Sequence, residues 1–280
     1  MLKRNWLVRY RSPLFQLSKL RYYVYYMSKD LDVSQFKTVA LKTAVVTGAT
    51  SGIGLALATR LAEEGWRVLA VGRNREKLKS LTDRFGPHHE LVVADLTDAD
   101  QISQAVGQIK KLTERLDLLA NVAGVGIYKP LEEIEEKEWK MSIDLNLNAP
   151  FLMTQKLISL LKKTKNSLVI SQGSGMGVIP TAGRSPYCTS KFGLRGMSLS
   201  LAEEFDEIDP DVTLITLGSV LTGFGPKTLQ ERQAEQLQGK AYHTVEWVID
   251  EYLEIIKSEN REKEYVFYPS NYGPGTQRPI

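Results

Sequence analysis

The chain has 280 residues, 42% of them hydrophobic and 25% charged, with a formal net charge of +3 and one cysteine. That usage suits one large globular domain. It excludes a disulfide-stapled scaffold and a multi-cysteine metal cluster. His88, His89 and His243 show no metal-ligand spacing with each other or with acidic partners, so no metal site is expected. Residues 1–29 hold seven Lys/Arg and no acid, and removing those seven charges from +3 leaves −4 for the remainder. A global nucleic-acid surface is therefore excluded as well.

Residues 1–41 form a basic N-terminal extension, expected to pack loosely and to carry no catalytic role. Three other readings of it stand open: a mitochondrial-type presequence, an arm that touches a membrane surface, or upstream sequence that a start at Met27 would omit. Its longest uncharged run, Tyr22 to Ser28, is too short to span a bilayer or to act as a secretory core. Cysteine usage points to a reducing, cytoplasmic location, with the mitochondrion as the alternative if residues 1 to about 29 are a presequence.

From residue 42 the pattern becomes regular. Apolar, β-branched runs occur at 43–48, 67–72, 90–95, 116–124, 167–173, 212–218 and 264–269. Continuous runs of this kind predict strands buried on both faces. Between them lie helical stretches. In GIGLALATRLAEEG, Ile53, Leu57 and Leu61 repeat at helical spacing and Gly65 supplies a stop. Further helices are expected at about 148–162, 187–206 and, behind a Thr244 cap, 245–257. Strand alternating with helix predicts an α/β, Rossmann-type doubly wound fold, with seven parallel strands and helices on both faces. Residues 42–280 are read as a single catalytic domain. The polar segment 223–243 reads as an irregular or helical flap.

The first strand runs into TGATSGIG and then a helix. Gly48, Gly52 and Gly54 allow a tight turn, close backbone approach to a pyrophosphate, and a helix N-terminus aimed at the anion. The second strand ends at Gly72 and Arg73, where an NAD-type site would place an acid for the ribose. A guanidinium there suits a 2′-phosphate, so NADP(H) is favoured over NAD(H); a solvated loop arginine is the other reading. Asp95, after the third strand, suits either the adenine amino group or a turn before a helix.

Tyr187 and Lys191 lie four residues apart, with Ser174 thirteen before the tyrosine, yet Ser12, Tyr25 and Lys29 repeat that spacing. Context separates the copies. The first precedes the glycine turn and follows no strand, whereas Ser174 lies just beyond one, at the edge where open α/β sheets bind ligands.

These residues resemble the classical short-chain dehydrogenase/reductase family over roughly 42–269. TGATSGIG is similar to its glycine motif, NVAG (121–124) to its Asn-Asn-Ala-Gly motif, and IDLNLNAPF (143–151) to its asparagine segment. SQGSG followed by YCTSK resembles its serine, tyrosine and lysine. The resemblance implies that Tyr187 is general acid in reduction and base in oxidation. Lys191 would lower the tyrosine's pKa and hold the nicotinamide ribose, Ser174 would steady the substrate oxygen, and Asn146 would hold a relay water. It further implies cofactor contacts at Gly48, Thr50, Ser51, Gly52, Ile53, Gly54, Arg73, Asp95, Leu96, Asn121, Ala123, Gly124, Tyr187, Lys191, Gly218, Val220 and Thr222. Two departures stand out: Val122 replaces an asparagine, and Leu217 replaces the proline before Gly218, which is expected to loosen the turn that follows. Cys188 reads as a packed small residue.

The function this implies is an NAD(P)-dependent oxidoreductase interconverting a small-molecule carbonyl and alcohol, with NADPH favoured and the 223–243 flap setting selectivity. A non-catalytic NADP(H)-binding regulatory or scaffold protein is the alternative. A sugar-nucleotide epimerase is weaker, since few residues follow the 264–269 run. By resemblance, the helices near 148–162 and 187–206 would pair subunits into a homodimer or homotetramer.

Overall fold

A computed structural model describes residues 41–269. The basic extension and its Ser12–Tyr25–Lys29 triplet lie outside the described residues. Seven strands form one parallel sheet: β1 (Thr43–Thr47), β2 (Arg67–Gly72), β3 (Glu90–Val93), β4 (Leu118–Asn121), β5 (Leu168–Gln172), β6 (Asp211–Leu217) and β7 (Glu264–Phe267). Their order is β3-β2-β1-β4-β5-β6-β7, with parallel register throughout. The chain leaves β1 in one direction to build β2 and β3, then returns to pair β4 on β1's other side. That reversal opens a crevice at the carboxyl ends of β1 and β4, where doubly wound sheets bind ligands.

The continuous apolar runs are strands because both sheet faces are covered. Helices α1 (Gly52–Glu63), α2 (Arg75–Phe85) and α8 (Val245–Lys257) cover one face; α3 (Ala99–Leu112), α5 (Ala149–Leu161) and part of α6 (Ser185–Glu204) cover the other. Alternate residues of each strand serve opposite layers: Ala44 and Val46 pack with Leu57 and Leu61, while Val45 packs with Ile109 and Leu157. Thr244 caps α8 by accepting from the Trp247 amide at 3.2 Å. Gly65 ends α1 as expected. With φ +85° it lets its own amide reach the Ala62 carbonyl and the Trp66 amide reach Leu61, each at 3.0 Å.

Helix α4 (Glu136–Ile143) runs through a π turn at Asp144–Asn148 into α5. The flap is helical at its centre, α7 (Leu229–Leu237), with a Thr228–Glu231 capping box. Among the described residues no helix is long and apolar enough to cross a membrane. No group of three potential metal ligands occurs among them either.

Two glycines separate backbone conformation from packing, because a Cβ on either Gly65 or Gly107 meets nothing within 4 Å. Gly65 holds a left-handed φ, whereas Gly107 lies inside α3. Gly65→Ala should destabilise by about 1 kcal/mol. Gly107→Ala should stabilise by about 0.5–1 kcal/mol. Urea unfolding of the two variants checks the opposed signs.

Candidate active site

At the carboxyl edge of β1 the turn into α1 is made of glycines for want of space. A Cβ on Gly54 would lie 2.4 Å from the Gly48 carbonyl oxygen, and one on Gly48 would lie 2.8 Å from the Ala123 Cα. The helix therefore starts tight against the strand, beside the loop after β4. Thr47 fixes that loop, its hydroxyl accepting from the Val122 and Ala123 amides at 3.0 and 3.1 Å. Ser51, at the α1 N-cap, makes no side-chain cap bond, and the first turn holds no acid. Asn74, Asp98, Thr228 and Thr244 all cap their helices. The α1 amides are thus left for an outside anion.

This turn forms one end of a cleft of about 850 Å³. Arg73, at the end of β2, borders the same end. At the other end stand Ser174, just past β5, and Tyr187 and Lys191, one turn apart on α6. Helix α6 is held against the sheet by Arg195, which forks onto Glu264 of β7 with bonds of 2.7–3.2 Å. Glu264 also accepts from Thr216 at 2.7 Å.

Tyr187 and Lys191 are 6% and 4% exposed, and burial dominates both. It raises the Tyr187 phenol well above its ordinary range, opposed by the Ser174 hydroxyl beside it. It lowers Lys191 to about 7. The ammonium donates to the Gln172 carbonyl at 2.7 Å and sits 5.9 Å from the Tyr187 ring centre. The net effect of the protein's own groups on Tyr187 is thus a rise, with burial outweighing the groups that lower it. Tyr128 meets Tyr187 edge-on at 5.6 Å and Phe224 tilts against it at 5.8 Å.

Residues 42–233 match the short chain dehydrogenase family. The chain belongs to it. It is 32% identical over 198 residues to an NAD-dependent glycerol dehydrogenase of Listeria innocua, covering 70% of this chain and 78% of that one. It is likewise 32% identical over 199 residues to a 3-oxoacyl-(acyl-carrier-protein) reductase of Rickettsia bellii, covering 71% and 80%. The closed form of serine dehydrogenase complexed with NADP+ superposes with a TM-score of 0.74 at 25% identity, over 85% of this chain and 100% of that one. This short-chain dehydrogenase/reductase is an NAD(P)-dependent oxidoreductase, and its residues fit the dinucleotide: a glycine cradle that a Cβ would fill, uncapped helix amides, and no carboxylate among the cleft's lining residues.

Most of the residues expected at the site border the cleft: Gly48, Thr50, Ser51, Gly52, Ile53, Gly54, Arg73, Leu96, Ala123, Gly124, Ser174, Tyr187, Lys191, Gly218, Val220 and Thr222. Three do not. Asp95 closes a turn, accepting from the Thr97 amide and hydroxyl at 3.0 and 2.8 Å, and lies 3.7 Å from Arg73. Asn121 is buried and donates to Thr154 at 3.2 Å. Asn146 is fully buried in the π turn. Its carbonyl accepts from the Val125 amide at 2.8 Å, while its NH2 is shared among the Val125 carbonyl, Ser142 and Ser190 at 2.9–3.3 Å. Both ends of the amide are thus engaged within the protein.

The turn after Leu217 is tied rather than loose. Gly218 donates to the Phe267 carbonyl at 2.8 Å, the His243 amide donates to the Ser219 carbonyl at 2.9 Å, and the Leu221 amide donates to the His243 carbonyl at 2.9 Å. His243, fully buried and stacked on Trp247 with ring centres 4.2 Å apart, supplies this strap through its backbone. Cys188 is buried, with only a weak 4.0 Å approach to the Thr181 carbonyl. Sequence reasoning missed Tyr128, Arg184 and Arg232, all of which border the cleft.

Lys191 makes stability depend on pH. Between its folded pKa of about 7 and its ordinary 10.5, the folded chain has lost a proton that the unfolded chain keeps. Stability relative to Lys191→Met should therefore rise with pH above 7, by up to about 1.4 kcal/mol per pH unit. Below pH 7 the difference should be flat, since both states are then protonated. Urea unfolding of cofactor-free protein from pH 6 to 9.5 reads it, and a constant difference across the range would mean an unperturbed lysine.

Proposed function

We propose that the protein reduces a small-molecule carbonyl with NADPH, and oxidises the corresponding alcohol in reverse, using Tyr187 as general acid and base. The observation that carries this reading is the convergence of Ser174, Tyr187 and Lys191 in one cleft with the glycine cradle. The bound nicotinamide supplies or accepts the hydride. The chain's own residues do the rest.

Tyr187 keeps its proton at neutral pH because burial disfavours the phenolate. It is thus ready to donate to an oxygen on which negative charge develops. Ser174, held at the start of a short turn where its Oγ accepts from the Met176 amide at 3.2 Å, keeps its hydroxyl hydrogen to donate to that same oxygen. Lys191 holds its Nζ near the ring, anchored to the Gln172 carbonyl, and offers its remaining protons to the ribose. Asn146 acts by positioning, clamping the Val125 backbone so that the wall opposite Tyr187 holds its shape.

Arg73 is the basis for favouring NADP(H). Its side chain is 68% exposed and only 3.7 Å from Asp95. So long and exposed a pair is weak, which leaves the guanidinium available to a 2′-phosphate. The relatives divide on this point: the serine dehydrogenase holds NADP+, while the Listeria enzyme is named NAD-dependent. Phe151 on α5 and Phe192 on α6, 42% and 43% exposed, support pairing of subunits through those helices.

Tyr187→Phe should lower kcat about 10²–10⁴-fold with NADPH affinity preserved; full turnover in that variant would sink the assignment. Arg73→Ala should raise the KM for NADPH about tenfold or more and leave that for NADH nearly unchanged. Equal effects on the two cofactors would refute the 2′-phosphate reading.

A further inference from the structure

Six cationic residues border the cleft (Arg73, Arg184, Lys191, Lys227, Arg232 and Lys240), and no aspartate or glutamate does. Four have a partner in the protein, that of Arg73 being the weak one described above. Arg73 lies against Asp95, Lys191 bonds to Gln172, and Glu235 holds both Lys227 and Lys240. Arg184 and Arg232 have no carboxylate within ion-pair distance among the described residues.

Arg184 makes one side-chain hydrogen bond among those residues, from Nη1 to the Met176 sulfur at 3.1 Å, and a thioether is a weak acceptor. Arg232 donates through Nη2 to the Phe224 carbonyl, while its Nε is enclosed without a partner. A half-buried guanidinium left so poorly satisfied is costly unless something answers it.

Both arginines stand at the Tyr187 end of the cleft. The Arg184 guanidinium lies 4.4 Å over the Tyr128 ring, and Tyr128 meets Tyr187 edge-on. Arg232, on the flap, lies 5.9 Å over the Tyr242 ring, with Gly225 separating it from Tyr128. A Cβ on Gly225, between them, would lie 2.9 Å from Tyr128 and 3.7 Å from Arg232 Nη2. The charges of both arginines oppose the burial that raises the Tyr128 pKa. The Arg184 guanidinium is therefore one aromatic ring removed from the proton donor, and Arg232 is bonded to the backbone of Phe224, whose ring meets Tyr187.

We infer that the substrate is an acid: a carbonyl or alcohol compound whose oxyanion, carboxylate or phosphate, is bound by Arg184 and Arg232 while its reacting carbon faces Tyr187. The inference rests on the oxidoreductase reading of this cleft. Planar, forked guanidinium groups match such oxyanions in bidentate geometry. Tyr128 and Phe224 supply the apolar walls between anion and reacting centre.

The test compares acetoacetate, 4-oxopentanoate and 5-oxohexanoate with their methyl esters, and a β-oxo phosphonate with its diester, following NADPH and NADH consumption. At least one acid should exceed its neutral partner in kcat/KM by about tenfold or more. That ratio should collapse in Arg184→Met and Arg232→Met, and Arg184→Lys should recover only part of it. Whether a carboxylate or the phosphonate shows the larger ratio identifies the oxyanion.

Calorimetric binding of the same compounds to Tyr187→Phe protein loaded with NADP+ separates this proposal from the one beneath it. Arginine-dependent acid binding without turnover in the wild type would refute the oxidoreductase mechanism and keep the anion site. Esters that bind and react as well as the acids would overturn the inference. So would binding of no acid at all, or arginine variants whose loss falls on NADPH affinity rather than on the acid-to-ester ratio.

Discussion

The amide of Asn146 is the interaction on which the site's geometry depends. Both of its ends are spent on the backbone of Val125, and its NH2 also reaches Ser142 and Ser190. Ser190 in turn donates to the Tyr187 carbonyl at 2.8 Å. One buried network thus joins the loop after β4, the π turn before α5, and the first turns of α6. The first element borders the cofactor end of the cleft, and the last carries Tyr187 and Lys191. Buried polar networks of this kind have few alternative arrangements, because any slip strands an amide or a carbonyl without a partner. The π turn follows from the same demand, since the extra residue in that turn aims Asn146 inward.

The fold was legible because its strands are buried on both faces. A continuous apolar run between glycine turns has few other readings, and each of the seven runs contains a strand. Helix α6 was equally plain, beginning at Ser185 where 187 was expected. The flap was not, because α7 has no buried residue and so carries no apolar stripe to read. For the site, the Tyr187–Lys191 spacing said little alone, since Ser12, Tyr25 and Lys29 reproduce it. Its position after β5 did the discriminating.

What stayed hidden has a common physical character. Arg184 precedes α6, Arg232 lies in the flap and Tyr128 follows β4, so no periodicity or motif links them. They meet only because the sheet order brings β4, β5 and β6 side by side. Asp95, read from the sequence as either an adenine contact or a turn residue, is seen to make the turn. An aspartate two residues before a threonine forms its own turn locally, and that local bond competes with any distant ligand.

Burial acts on the two reactive side chains in opposite senses, and that asymmetry bears on the chemistry. It holds Tyr187 protonated and weakens the charge on Lys191, so the protein's own groups favour a neutral pair. A proton donor must hold its proton until the substrate oxygen needs it, so this state suits carbonyl reduction. Oxidation needs the phenolate instead, which burial opposes and which the Ser174 hydroxyl and the Arg184 charge only partly favour. Arg184 stands behind Tyr128, and burial outweighs its lowering of the Tyr187 pKa; under the proposal above, Arg184 and Arg232 would hold the substrate's charge. An acidic substrate would bring its own negative charge to that end and disfavour the phenolate further. On the reading proposed above, the burial that keeps Tyr187 protonated suits it to the donor's role, and an acidic substrate would act in the same sense.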